Sequence, residues 1–428
     1  MRIKRTLLFV ILLLLVLPAV QKRFHPVSSR PLNGVFANAA KPVFSCSAWM
    51  TGQFQDACTR YLEDHTGFRP DLVRLYNQVD FSFFSLPHAE RVVIGKNHEL
   101  FASGYIRGYL GQDFPGNRYI DEKVKMLRYL QEYLWKEKHI FVVVVIPPDK
   151  GSFYPECIPG RFLKVKRHQA ARDYFLQKAG KAGINILDFN SWFLAMKDTS
   201  PYRLIPTTGV HWSEYGAWLS ADSATRYLER MTGCTMPRMV LDSVVTSTHP
   251  RHKDDDINKT MNLVWNAPHA RLAYPAFHFV SGKTMSKPSA LFVADSFFWG
   301  WWDQPIIQNL FRNPEIWYYD QEIYPESFTR TKHTWEAGLR ETVERQDIIV
   351  LLQVGAGGGN PGSGIIDRHF AEFDTSAGNP IRKIERTMLS DTAWLAAEKR
   401  KSAERNLPLP VMMRSDAISL FNDDLKRK

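Results

Sequence analysis

The chain has 428 residues, 44% of them hydrophobic, which is enough for one large α/β domain or two smaller ones with a sizeable core. Its formal net charge is +11, but the basic residues are scattered, with no zinc-finger spacing, RNA-binding signature or long basic run, so nucleic acid is not an expected partner. The histidines form no pair at ligand spacing on one helix and the four cysteines fit no ligand pattern, so neither a metal nor a cofactor is expected.

In chain order, Arg2, Lys4 and Arg5 precede an apolar stretch from Leu7 to Val20, followed by Gln21-Lys22-Arg23. The stretch falls short of the ~20 residues of a comfortable membrane span and resembles the core of a secretory signal. Lys22-Arg23 directly behind it, and the distance to the small-residue Ala37-Asn38-Ala39, weigh against cleavage. Residues 1–22 are therefore read as a signal anchor, with a cleaved signal peptide as the alternative. Either way the body is exported, and an anchor would hold it at the periplasmic or extracellular face of the cytoplasmic membrane. Residues 23–45, rich in Pro, Ser, Ala and Asn without periodicity, read as a tether. Trp49 to Phe84 looks helical, and Cys46 and Cys58 flank the start of the body; a local disulfide and buried free thiols are both open.

Val92-Val93-Ile94 reads as a strand entering the turn Gly95-Lys96-Asn97. Residues 120–137 place Met126, Leu127, Leu130, Leu134 and Trp135 at helical spacing. Buried strands are predicted at Phe141–Ile146, Ile184–Leu187, Leu291–Ala294, Ile316–Tyr319 and Ile348–Leu352, with helical patterns at Arg167–Ala179, Glu214–Met231 and Thr334–Arg345 between several of them. Strands alternating with helices predict an α/β fold with a mainly parallel sheet covered on both faces. Gly355-Ala356-Gly357-Gly358-Gly359-Asn360 lacks the features of a phosphate or dinucleotide loop and is read as a plain loop. Residues 381–428 read as a charged surface helix followed by a loose end.

The chemistry concentrates at Leu291-Phe292-Val293-Ala294-Asp295-Ser296-Phe297. An apolar strand ends in Asp-Ser, and open α/β sheets place their ligands at the C-terminal ends of strands. A serine hydroxyl needs a neighbouring base to act as a nucleophile, and Gly209-Val210-His211-Trp212-Ser213 supplies the natural candidate. Asp295, facing the other side of an extended chain, suits a structural hydrogen bond. The aromatic run from Phe297 to Trp302 could exclude water from such a site.

Asp64-His65-Thr66-Gly67-Phe68-Arg69, Gly95-Lys96-Asn97, Pro147-Pro148-Asp149-Lys150, Gly209-Val210-His211-Trp212 with Tyr215-Gly216, and Asp295-Ser296-Phe297 occur in an order that resembles the SGNH-hydrolase-like proteins of the alginate O-acetyltransferase (AlgX/AlgJ) type. The resemblance implies a three-layer SGNH-hydrolase-like domain, taken as residues 46–380, with the permuted motif order in which His211 precedes Ser296. It implies an exported O-acetyltransferase acting on hydroxyls of a cell-envelope or extracellular polysaccharide, beside a membrane acyltransferase of the MBOAT class as acyl donor. Ser296 takes the nucleophile position and His211 the base. Where that family carries its third member, two residues before the histidine, this chain has Gly209, which can neither orient nor steady an imidazolium. Asp254, Asp255 and Asp256, or Asp188 and Asp149 at strand ends, could replace it; a backbone carbonyl could orient the ring in a Ser-His dyad; or the site is inactive. Lys150, Trp299 and Trp212 are candidate substrate contacts, against readings as a loop charge and as packing beneath His211. Backbone N–H groups of Ser296 or Phe297 are expected to hold the oxyanion. An exported carbohydrate esterase using the same serine, and a non-catalytic polysaccharide-binding or scaffold partner, are the competing functions.

Overall fold

The computed structural model describes residues 2–34, 38–355 and 364–427; most of the glycine-rich loop expected at 355–360 lies outside the described residues. The chain divides into two compact units, Met1–Ile94 with Asp256–Pro268, and Gly95–Asp255 with His269–Lys428.

In the first unit, helix α1 (Arg2–Phe24) exposes its Leu, Ile and Val side chains along its whole length. Its 23 residues span about 34 Å at 1.5 Å per residue, enough to cross a bilayer core of about 30 Å. The helical stretch expected over residues 49–84 is present but broken at Thr66–Phe68, where Gln53–His65 gives way to α2 (Arg69–Val79) and then to a π turn, Asp80–Phe84. Gly67 is required at the break by close approach: a Cβ there would overlap the carbonyl oxygen of Pro18 and come within 2.8 Å of Lys22 N. Residues expected to be a tether are strapped down instead. Arg74 of α2 donates to the carbonyls of Arg30 (2.7 Å) and Pro31 (2.6 Å), Gln21 donates to Val27 O (2.6 Å), and Ala39 N–H donates to Asp64 (2.8 Å). No disulfide joins Cys46 to Cys58; all four cysteines are free thiols, with only Cys157 buried.

The second unit is built on β1 (Phe141–Ile146), β2 (Ile186–Asp188), β3 (Arg238–Ser247), β4 (Leu272–Val280), β5 (Ser289–Ala294), β6 (Arg312–Tyr318), β7 (Glu322–Tyr324) and β8 (Ile348–Leu352). Six of these form one sheet in the order β2-β1-β8-β5-β6-β7, parallel throughout except for the antiparallel edge strand β7. The five predicted buried strands are all in it, Val92–Ile94 forms a strand outside it, and β7 was not foreseen. The separate antiparallel ribbon β3–β4 was also unforeseen, because β3 is mostly solvent-facing and Pro275 interrupts β4.

The three-layer α/β arrangement follows from the period of two along each strand. Val142, Val144, Ile146, Leu291, Val293, Ile349 and Leu351 enter one core, packed under α3 (Asn117–Lys138), α4 (Ala171–Lys181) and α7 (Ile365–Phe373). Phe141, Val143, Val145, Ala290, Phe292, Ala294, Ile348 and Val350 enter the other, under α5 (Phe189–Met196) and α6 (Glu214–Thr232). The C-terminal segment is not a loose end: α8 (Pro380–Ser390), α9 (Thr392–Glu404) and α10 (Leu409–Arg427) bury Met388, Met412, Met413, Ala417, Phe421 and Leu425. Lys123 of α3 is fully buried and binds both Asp367 of α7 and Asn422 of α10, locking the tail to that layer.

Candidate active site

The fully buried strand β5 stops at Asp295, whose carboxylate does two jobs. One oxygen accepts the Phe297 N–H (2.9 Å) and caps the single turn Ser296–Phe298; the other accepts the Val354 N–H (2.7 Å) just beyond β8. The Asp295 N–H in turn donates to Leu352 O (3.0 Å). Since β5 and β8 are in register, Ala294 beside Leu352, this one residue ties two adjacent strand ends and sets the serine on a rigid corner. Burial pushes the Asp295 carboxyl up to about 6, against the opposing pull of the two N–H groups and of His211. The structural role expected for Asp295 is what its contacts describe. Because the Phe297 N–H is already bound to that carboxylate, it is not available as an oxyanion donor.

His211 arrives from the loop before α6. Ser213 caps that helix by accepting the Gly216 N–H (3.1 Å) and donates its hydroxyl to Arg203 O (2.7 Å), while its own N–H donates to Leu204 O (2.8 Å). The preceding loop is gripped by Lys150, whose ammonium donates to the carbonyls of Pro206 (2.7 Å), Thr207 (2.8 Å) and Gly209 (2.7 Å) and pairs with buried Glu99 (3.2 Å). Glu99 also binds Arg203. Lys150 has no solvent exposure, so its expected role as a substrate contact gives way to that of a clamp on the histidine loop. Trp212 is also inside. It stacks on Trp301 (centroids 5.3 Å apart) and meets Phe297 edge-on, so it packs beneath the site instead of facing a sugar. The His211 ring meets Phe297 edge-on at 4.7 Å.

These two constructions bring His211 Nε2 to 2.7 Å from Ser296 Oγ, across 85 positions of sequence. Tyr319, at the C-terminal end of β6, puts its hydroxyl 3.4 Å from the same oxygen. In the sequence Tyr319 is the end of a strand and part of an aromatic cluster, Trp317-Tyr318-Tyr319. Its place at a strand's C-terminal end, the side that holds the serine, was the available signal.

Of the possible third members, Asp188 caps α5 by accepting the Ser191 N–H (3.1 Å) and hydroxyl (2.5 Å), which accounts for it. Asp256 belongs to the first unit, at the start of a short helix, Asp256–Thr260. Asp254 and Asp255 are both buried in the second unit. The Thr208 hydroxyl donates to Asp254 O at 3.4 Å, which places this acidic run against the His211 loop. Burial raises the Tyr274 phenol, and the Asp254 carboxylate hydrogen-bonded to it raises it further. Trp299 is half-buried in an aromatic patch with Trp302, Tyr318, Tyr324 and Phe328, with centroid separations of 5.1 to 6.5 Å. Among the described residues, no group of three or more His, Cys, Asp or Glu side chains could hold a metal ion.

Residues 92–294 match the family described as SGNH hydrolase-like domain, acetyltransferase AlgX; the match ends just before Asp295 and Ser296. No curated protein matches the chain. Among solved structures, the O-acetyltransferase domain of Pseudomonas putida AlgJ is similar at 16% identity and a TM-score of 0.40, covering 63% of this chain and 92% of that one. Pseudomonas aeruginosa AlgX is similar at 14% identity and a TM-score of 0.41, covering 64% and 67%. Bacillus cereus PatB1 is similar at 12% identity and a TM-score of 0.34, covering 56% and 90%. Over residues 92–294 the chain is thus similar to the SGNH hydrolase-like domain of the AlgX acetyltransferases, in line with the resemblance its motifs carry.

Proposed function

We propose that this protein is an exported serine-dependent O-acetyltransferase that moves acetyl through Ser296 onto hydroxyls of a cell-envelope or extracellular polysaccharide. The observation that carries this reading is the 2.7 Å approach of His211 Nε2 to Ser296 Oγ at the C-terminal edge of the parallel sheet. His211 takes the Ser296 proton as the hydroxyl oxygen attacks the carbonyl carbon of the donor. The tetrahedral oxyanion collapses, and the donor's leaving oxygen departs with the proton from His211. A sugar hydroxyl then gives its proton to His211, attacks the acetyl-serine, and leaves as the O-acetyl sugar while Ser296 regains its proton. The Ser296 N–H is the backbone donor assigned to the oxyanion, and the Tyr319 hydroxyl lies close enough to assist it or the incoming sugar oxygen.

The missing carboxylate at Gly209 is assigned to the buried Asp254-Asp255 pair. Asp255 is the first choice, since Tyr274 engages Asp254. The acyl donor is assigned to a membrane-bound MBOAT acyltransferase, a role that fits a chain held at the membrane by α1 with its body on the exported side. Trp299 and its half-buried aromatic neighbours are the surface assigned to sugar rings.

The test is acylation of the full-length protein in detergent by an activated acetyl ester, followed by mass spectrometry. The acetyl adduct should sit on the Ser296 peptide and vanish in Ser296→Ala. Acylation should slow by about 10²–10⁴ in His211→Ala and by up to about 10⁴ in Asp255→Asn. An adduct that survives Ser296→Ala would sink the reading. Loss in Asp254→Asn with Asp255→Asn unaffected would move the third role by one residue. Acetate released with no transfer to any added glycan would favour an esterase.

A further inference from the structure

Helix α2 is inside out. Arg74, Asn77 and Gln78 are its buried residues, each at most 7% exposed. Leu72, Leu75, Tyr76 and Val79, spaced i, i+3, i+4 and i+7, are 41–59% exposed. The polar face holds the unit together. Arg74 holds the carbonyls of Arg30 and Pro31, Asn77 donates to Met261 O (2.8 Å), and Gln78 accepts the Trp265 N–H (2.9 Å) and donates to Ser82 (2.9 Å). The outer stripe runs on into the π turn, where Phe83 and Phe84 are 78% and 65% exposed. A surface helix in water turns its apolar stripe inward. This one offers a continuous apolar stripe outward, ending in two aromatics, which an isolated water-facing surface does not do.

The position of this stripe along the chain says what covers it. Gly67, two residues before α2 begins, lies against Pro18 and Lys22 in the last turns of α1. The first turn of α2 therefore sits at the end of the helix that crosses the membrane. Lys22, Arg23 and His25 are exposed there, beside a polar cleft of about 810 Å³ that Lys22, His25, His65 and Arg69 help to line. Cations at headgroup depth next to an outward apolar stripe match an interfacial helix, whose apolar face sinks about 5–10 Å into the headgroup and acyl boundary.

We propose that α2 and the Asp80–Phe84 turn form a membrane-docking surface, with Leu72, Leu75, Tyr76, Val79, Phe83 and Phe84 seated in the lipid interface of an anionic bilayer. This rests on the reading of α1 as a membrane anchor and adds a second lipid contact to it. Two contacts in one unit fix its orientation, which a single helix at the end of a free tether would leave open.

The test is spin-label accessibility on the full-length chain in phosphatidylethanolamine–phosphatidylglycerol vesicles, with Cys46, Cys58 and Cys234 replaced by Ser and buried Cys157 retained. Labels are placed singly at Phe83→Cys and at Leu12→Cys. For Phe83→Cys, accessibility to oxygen should exceed that to a water-soluble nickel complex severalfold, as it should for Leu12→Cys. A position 83 open to nickel, or closed to both reagents as under a protein partner or a second copy, would overturn the docking surface. Leu12 in lipid with position 83 in water would defeat the docking surface alone; both in water would defeat the anchor reading as well.

Discussion

The two units bury opposite things. In the second, strands β1, β5 and β8 place apolar side chains on both faces of the sheet, and its two fully buried lysines are each paired with a carboxylate. Lys123 meets Asp367 and Asn422, and Lys150 meets Glu99 and three carbonyls. In the first unit, α2 buries an arginine, an asparagine and a glutamine and leaves leucine, tyrosine and valine outside. Buried polar groups are costly unless hydrogen-bonded, and the side chains just named in both units have partners. What differs is the outer medium each surface is composed for. The second unit is built as a domain in water that spends its buried charge on holding loops, and the first as a layer whose exterior suits something apolar.

The contrast can be broken most sharply at Lys150. Lys150→Met leaves buried Glu99 with Arg203 as its remaining cation and frees three loop carbonyls, so stability should fall by about 3–5 kcal/mol, and Ser296 acylation should fall with it. Adding Glu99→Gln should restore part of the stability without restoring the loop. Urea unfolding in detergent micelles measures both, and a loss below about 1 kcal/mol would show that the clamp is dispensable.

The next largest effect is with pH. Burial raises the carboxyls of Asp149, Asp295 and Asp320 to about 6. Their unfolded values lie near 3.9, so between about pH 4 and 6 the folded state holds more protons than the unfolded one. Stability from these groups is complete below about pH 4 and is lost as pH rises through about 6, by at most about 1.4 kcal/mol per pH unit for each group. Asp149→Asn should flatten that slope. Unfolding free energies measured from pH 4 to 7 that rise through this window would contradict the assignment. The effect belongs to the second unit, which holds all three groups.

Smallest are the changes on α2 itself, where the reversed pattern makes an unusual forecast. Arg74→Ala, on the buried side, should cost about 1–3 kcal/mol by stranding the carbonyls of Arg30 and Pro31. Leu75→Ser, replacing a leucine by a polar residue on the same helix, should stay within about 0.5 kcal/mol in micelles. If the leucine substitution proved the costlier of the two, α2 would be an ordinary helix with its apolar side at work in folding.

Much of the second unit was legible in advance because its strands are short, unbroken apolar runs, and such runs mean burial on both faces. Phe141–Ile146 and Leu291–Ala294 were read directly. The edge strand β7 and the ribbon β3–β4 were not, since partly exposed strands carry weak patterns whose pairing depends on distant chain. At the site, Ser296 and His211 were visible by their place in ordered blocks. Lys150 was misjudged because a lysine after a strand normally reaches water; only the loop folded over it supplies three acceptors. For Trp212 both a sugar contact and packing beneath His211 were readable, and Trp301 and Phe297 from another segment decided for packing. The inside-out pattern of α2 was present in the sequence, but periodicity reports that a helix has two faces without saying which one turns inward.

The sequence by itself determined the parallel α/β class, the order of histidine before serine, and an apolar N-terminal helix, because hydrophobic period and motif order are local properties of the chain. Tertiary structure alone decided that His211 reaches Ser296, that Asp295 is occupied by the Phe297 and Val354 N–H groups, and that Asp254 and Asp255 are buried near the Gly209 loop. Each of these depends on strand register and loop closure between segments tens of residues apart. A hydrogen bond a few tenths of an ångström from its best length is lost or kept by that register, and no single stretch of sequence carries it.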